Sequence, residues 1–166
     1  MTSDLIHSSI SRSVPVLVAS NYQSVRASAI KILRGSGFHE IHRAADGCDA
    51  VTRAGEKKCG LVIVQSSIVR MFGTNKSMSG LGVLEAIRMA PRLKDTAFVM
   101  YFSPWDDAVA LKVMEHGAAC YKGSDPSTEL VRAINQAFEL AACRRPDAAL
   151  GSAGLTGTEI AAAALK

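Results

Sequence analysis

From residue 14 onward the chain alternates short apolar runs with longer stretches in which apolar residues recur every three or four positions. VPVLVA at 14–19, LVIV at 61–64 and TAFVMYF at 96–102 are apolar almost throughout, the pattern of strands buried on both faces. EIHRA at 40–44 and AACY at 118–121 predict two shorter strands. Between them, Val25, Ala29, Ile32 and Leu33 predict a helix over 22–34, ended by GSG, and a short helix is expected over 48–54. Val83, Leu84 and Ile87 mark a third helix stopped before Pro91. Val109, Leu111, Val113 and Met114 mark a fourth, which Ser103 would cap with Pro104 at its first position. Leu130, Val131, Ile134, Phe138 and Ala141 share one face of a fifth, opened by Asp125-Pro126.

Five strands alternating with five helices imply an α/β protein: three layers, α/β/α, around a parallel sheet covered on both faces. The right-handed crossover rule leaves few topologies, and the flavodoxin-like order 2-1-3-4-5 is the common one at this size. In such sheets function gathers at the carboxyl ends of the strands. That rule selects Ser20-Asn21, Gln65, Phe102-Ser103 and Gly123-Ser124. Residues 14–142 make one domain, residues 1–13 read as a flexible N-terminus, and residues 143–166 form a tail.

With 48% hydrophobic residues in 166, the chain can fill one core. The net charge of +4 is spread from Arg12 to Lys166, and the only adjacent basic pairs are Lys57-Lys58 and Arg144-Arg145. A nucleic-acid binder would show a denser stripe, so a nucleic-acid partner is not expected. Cys48, Cys59, Cys120 and Cys143 stand far apart without a CxxC pair, which points to reduced thiols and away from zinc or a disulfide framework. The opening MTSDLIHSSISRS has an early Asp and no apolar centre, and no run is long enough to cross a membrane. A soluble cytoplasmic protein without a membrane partner is expected.

Several segments resemble the receiver domains of bacterial response regulators, over roughly residues 14–141. VLVASNYQSVRASAIKILRGSGF follows that family's first strand, turn and first helix without a gap. AADGCDAV (44–51) is similar to its A-x-D-G-x-E/D-A segment, GLGVLEAIR (80–88) to the helix after its phosphorylation loop, and GAACY (117–121) to its Gly-Ala turn and fifth-strand aromatic. The resemblance implies five chemical positions, and nearly all depart from the family. The two magnesium-holding acids fall on Ser20 and Asn21, and the phosphoacceptor aspartate falls on Gln65. The hydroxyl residue falls on Phe102, or on Ser103 with a slip of one. The lysine falls on Ser124, or on Asp125 with one inserted residue, and Lys122 stands two positions too early.

An acyl phosphate requires a carboxylate nucleophile, and Mg²⁺ gives up water only for anionic oxygen. A hydroxyl and two amides supply neither. Ser66 and Ser67 lie beside the site but lack a base, because His39, His42 and His116 are expected elsewhere on the fold and His7 in the N-terminus. Asp46 and Asp49 read as turn and helix-cap residues. No catalytic residue, metal or cofactor is expected. The expected function is a pseudo-receiver, a phosphorylation-independent protein–protein interaction module in two-component or phosphorelay signalling, partnered by a kinase or another regulator. A homodimer is one option. The expected contact face is Trp105, Lys112, Tyr121 and Arg132, with Tyr121 at the family's aromatic position and Phe102 filling the space of the hydroxyl. The alternative is a ligand sensor for an anion or a cyclic dinucleotide.

Two additions lie outside that pattern. SSIVRMFGTNKSMS, between Gln65 and Gly80, is about twice the usual length for such a connection. It reads either as a flap offering Met71 and Phe72 to the pocket or a partner, or as a loop whose apolar residues sit on the domain edge. In the tail, Thr156 and Glu159 form a capping box, and Leu155 with Ile160 has the spacing of a hydrophobic staple. A helix over 157–165 would be marginal alone and ordered only when docked; the other reading is a frayed Ala/Gly-rich tail.

Overall fold

The computed structural model describes residues 5–68, 78–123 and 128–145. Strands β1 (Val16–Ala19), β2 (Ile41–Ala44), β3 (Leu61–Gln65), β4 (Ala97–Phe102) and β5 (Ala119–Lys122) form one sheet of order β2-β1-β3-β4-β5, parallel in every pairing. Helices α1 (Gln23–Gly35), α2 (Gly47–Glu56), α3 (Gly80–Met89), α4 (Asp107–Glu115) and α5 (Thr128–Arg144) connect and follow them. The expected α/β architecture and strand order are therefore both present.

Strand alternation divides the interior into two cores. Val16, Val18, Leu61, Ile63, Val99 and Tyr101 join the buried faces of α1 and α5. Leu17, Val62, Val64, Phe98, Met100 and Phe102 join those of α2, α3 and α4. Each central strand feeds both cores, which is why its sequence is apolar without a break.

Local chemistry sets the helix starts. Asp46 caps α2, its carboxylate accepting from the Asp49 amide at 2.8 Å, while Asp49 pairs with Arg53 at 2.7 Å one turn on. Both aspartates are structural, as the sequence indicates. The start of α4 differs from expectation. Residues 103–106 pass over the end of β4, with Trp105 packed on Phe102 at 4.8 Å between ring centroids. The cap is Asp106, which accepts from the Val109 amide at 3.0 Å. Ser103 and Pro104 precede the helix because Trp105 is drawn onto the strand end before α4 can begin.

Residues 5–13, placed outside the domain by the sequence reading, lie against it. Ile6 and Ile10 are buried in the α1/α5 core. The Asn135 side chain accepts from the His7 amide at 2.9 Å and donates to the Leu5 carbonyl at 3.1 Å. The Arg12 guanidinium gathers the carbonyls of Ile6, His7, Ile10 and Ser36, and lies 5.5 Å from the Phe38 ring centroid. The polar residues that hide this segment's character in the sequence are the ones that tie it down.

At the amino-terminal pole of the sheet, Arg88 donates to the carbonyls of Lys94, Thr96, His116 and Gly117. Arg144 donates to Thr96 and Gly117, fastening the end of α5. Burial, with Arg144 alongside, lowers the Arg88 pKa to about 10. Gly117 has φ of +65°, and a Cβ there would collide with the Arg144 guanidinium.

Burial raises the Cys59 thiol to about 11, with Glu40 adding to the shift. A raised acid keeps its proton in the folded state while the unfolded chain loses it. Stability should therefore fall as pH rises from the ordinary thiol value of 9.0 to about 11. Denaturant midpoints measured across that window should drop for the native chain and drop less steeply for Cys59→Ala; equal slopes would contradict the assignment.

Candidate functional site

The strand registers bring the predicted positions together at the carboxyl edge. Ala19 pairs with Val64, Gln65 with Tyr101, and Tyr101 with Tyr121. Ser20 follows Ala19, so Ser20, Gln65, Tyr101 and Tyr121 form one row across four strands, on the side facing α1 and α5. Ser20 is 1% exposed and Gln65 4%, so both polar groups must find partners inside the protein. They find each other: the Ser20 hydroxyl donates to the Gln65 amide oxygen at 2.5 Å and accepts from the Tyr22 amide at 3.1 Å. Asn21 is half-buried and has a partner of its own.

Arg26 completes the cluster. One turn into α1, it reaches back and donates to the Ser20 carbonyl. Sequence reasoning missed it. The available signal was its place in the first turn, since helical side chains lean toward the N-terminus and the strand–helix junction. The only formal charge contributed by this set of side chains is therefore positive. Among the described residues, no group of three or more His, Cys, Asp or Glu side chains stands close enough to hold a metal ion.

The β3 tip also leaves no room on the α3 side. A Cβ on Gly80 would come within 2.7 Å of the Gln65 carbonyl and 2.9 Å of the Ser66 Cα, so α3 starts directly against the turn. Ile68, the first large apolar residue of the long connection, is fully buried in the α2/α3/α4 core. Met71 and Phe72 lie outside the described residues, as does Ser124.

Phe102 sits on the opposite face from the Ser20–Gln65 row. It is fully buried and covered by Trp105. A cavity of about 270 Å³ opens beside it, lined by Ser66, Ser67, Phe102, Pro104, Asp106 and Val109. Ser20, Asn21 and Gln65 do not line it. Ser103 is exposed, and Lys122, opposite Phe102 in register, is exposed as well.

Of the expected contact face, Lys112 and Arg132 are exposed and Trp105 is half-buried. Tyr121 supplies no surface. It is 5% exposed, with its ring 5.1 Å from that of Tyr101, and burial followed by the neighbouring Tyr101 raises its hydroxyl pKa. Strand alternation turns Tyr121 inward while Lys122 points out. On α4, two of the four apolar residues that mark the helix in the sequence, Leu111 and Met114, are 57% and 51% exposed. No helix among the described residues is long and apolar enough to cross a membrane.

No protein-family model and no curated protein matches the sequence. Solved structures do. The chemotaxis response regulator CheY4 of Vibrio cholerae is 19% identical, covering 78% of this chain and 98% of its own, with a TM-score of 0.59. The signal receiver domain of the DNA-binding response regulator merR from Colwellia psychrerythraea is 17% identical, covering 76% and 98%, with a TM-score of 0.64. NtrX from Brucella abortus is 20% identical over 83% of this chain and 29% of its own, with a TM-score of 0.67. Together with the sheet order and the five helices, these likenesses give the chain the fold of the response regulator receiver domain.

Proposed function

We propose that this protein is a pseudo-receiver: a receiver fold that has exchanged phosphate chemistry for a fixed surface, and that acts as a protein–protein interaction module in bacterial signal transduction. The observation that carries the reading is the Ser20–Gln65 hydrogen bond. Where the receiver resemblance calls for carboxylates to bind a metal and accept a phosphoryl group, two neutral side chains satisfy each other. Arg26 brings a cation to the same junction. An amide oxygen is a poor nucleophile toward phosphorus, and nothing here offsets the dehydration of Mg²⁺. Arg26 is engaged with the Ser20 carbonyl, and among the described residues no lysine is aligned with the site to stabilise charge developing on a transferring phosphoryl group.

The face offered to a signalling partner is the exposed side of α4, with Leu111 and Met114 as apolar contacts and Lys112 between them. Trp105, tied through its indole N–H to Asp107 at 2.7 Å, borders that face, and Arg132 on α5 extends its basic character. A kinase or another regulator in the cytoplasm suits such a surface. The alternative reading, a sensor of an anion or cyclic dinucleotide, finds less support. Among the described residues, the cavity next to the site has one ionisable side chain in its wall, Asp106, and its carboxylate would repel an anion.

The test is direct. Purified protein incubated with acetyl phosphate and magnesium should keep its intact mass, and its melting temperature should not move on adding millimolar magnesium. A gain of one phosphoryl group labile to hydroxylamine, or a clear upward shift in melting with magnesium, would overturn the reading.

A further inference from the structure

We infer that the groove between the N-terminal segment and the second half of α5 is the docking site for this chain's own C-terminal tail. The groove encloses about 420 Å³ and is walled by Ile10, Val14, Phe138, Ala141 and Ala142, with Arg145 at its end. Asn135 holds residues 5–7 against α5 while Arg12 gathers the segment's own carbonyls, and the groove lies between the segment and the helix. Its floor is apolar. Its rim is polar, carrying the His7–Glu139 contact at 3.6 Å. An apolar trough of this size with a polar border is a binding surface for apolar side chains presented on a helix or turn.

Three observations choose the occupant. First, the described chain ends at Arg145, which itself lines the groove, so residues 146–166 continue from the groove's own edge. Second, the reach is sufficient. Residues 146–155 include Pro146, Gly151 and Gly154, and ten residues can span up to about 33 Å, enough to turn back and lay the following residues along α5. Third, the chemistry matches. The tail carries Leu150, Leu155, Ile160 and Leu165 among alanines and glycines, and its only charged side chains are Asp147, Glu159 and Lys166. The two acids complement the exposed Arg145 at the groove mouth.

The capping box and staple at 155–160 define where a helix would start, and a helix of that length gains most of its stability from the surface that receives its apolar face. Tethering supplies an effective concentration of the order of millimolar for a short flexible connection, so a weak contact suffices. The docked tail would cover the face made by α5 and residues 5–14, leaving α4 as the open surface. This inference does not rest on the loss of phosphate chemistry and would survive its failure.

Hydrogen exchange followed by mass spectrometry on the full chain tests it. Two full-length variants are compared with the native protein: one carrying Leu155→Asp, Ile160→Asp and Leu165→Asp, and one carrying Ala142→Arg on the exposed groove wall. Exchange in residues 6–14 and 134–142 is read relative to β3 and β4, which the substitutions do not touch. Both variants should exchange about tenfold faster than native in those two segments, and combining them should add nothing. Unchanged exchange in either variant would overturn the proposal. So would native protection that disappears on dilution, since that would assign the groove to the tail of a second copy.

Discussion

Phe102→Ala should lower stability by about 3–5 kcal/mol, the range for emptying a fully buried aromatic site. Phe102 has no exposed surface, joins the core beneath α2, α3 and α4, and lies 4.8 Å from the Trp105 ring. Relaxation offers little relief, because β4 is held on both sides by parallel pairing with β3 and β5. The cavity already present beside Phe102 would widen into the interior. Chemical denaturation followed by Trp105 fluorescence would report both the loss of stability and the altered surroundings of the indole. A loss under about 1 kcal/mol would mean that Trp105 collapses into the space, and that the two rings act as one replaceable plug.

The second large effect belongs to Gln65→Glu, a change of nearly the same shape. It puts an ionisable group where 4% of the residue reaches solvent. The Ser20 hydroxyl can still donate to it, but Arg26 is engaged with the Ser20 carbonyl. Burial favours the neutral acid, so the folded-state pKa of the introduced carboxyl should rise above the ordinary value of about 4.3. Between those two pKa values the folded state binds more protons than the unfolded one, so stability falls as pH rises through that window. At neutral pH the variant should be about 3 kcal/mol less stable than the native chain, and the gap should close below about pH 4. Equal stability at pH 7 would show that Arg26 neutralises the introduced carboxylate, and would weaken the view of the site as a neutral lock.

The fold was legible because its signal is repeated and local. Unbroken apolar runs such as LVIV at 61–64 mark doubly buried strands, and α3 and α5 bury the residues their spacing predicted: Val83, Leu84 and Ile87 in one, Leu130 and Ile134 in the other. On α4 the same signal located the helix but not its inward face. Leu111 and Met114 fit a helical period, yet Ala110 and Val113 occupy the inward face, and the two larger residues are left outside. Periodicity fixes which residues share a face but not which face meets the sheet. The cap misplaced to Ser103 has a similar cause: Ser-Pro is a sound local signal, but Trp105 is drawn onto Phe102 first.

The candidate site divides the same way. Covalent identity alone determined that the strand tips carry Ser20, Asn21 and Gln65, and no folding can give a hydroxyl or an amide the charge of a carboxylate. The alternation of strands and helices likewise determined the sheet, through rules that depend only on chirality and burial. Tertiary structure decided what those neutral groups do. The register that sets Ser20 beside Gln65, the return of Arg26 from α1, the inward turn of Tyr121 and the seating of residues 5–13 along α5 all join positions distant in the chain. The first two are settled by which polar group finds a partner and the last two by which side chains the core takes in, and neither competition has an outcome until the sheet has brought the competitors together.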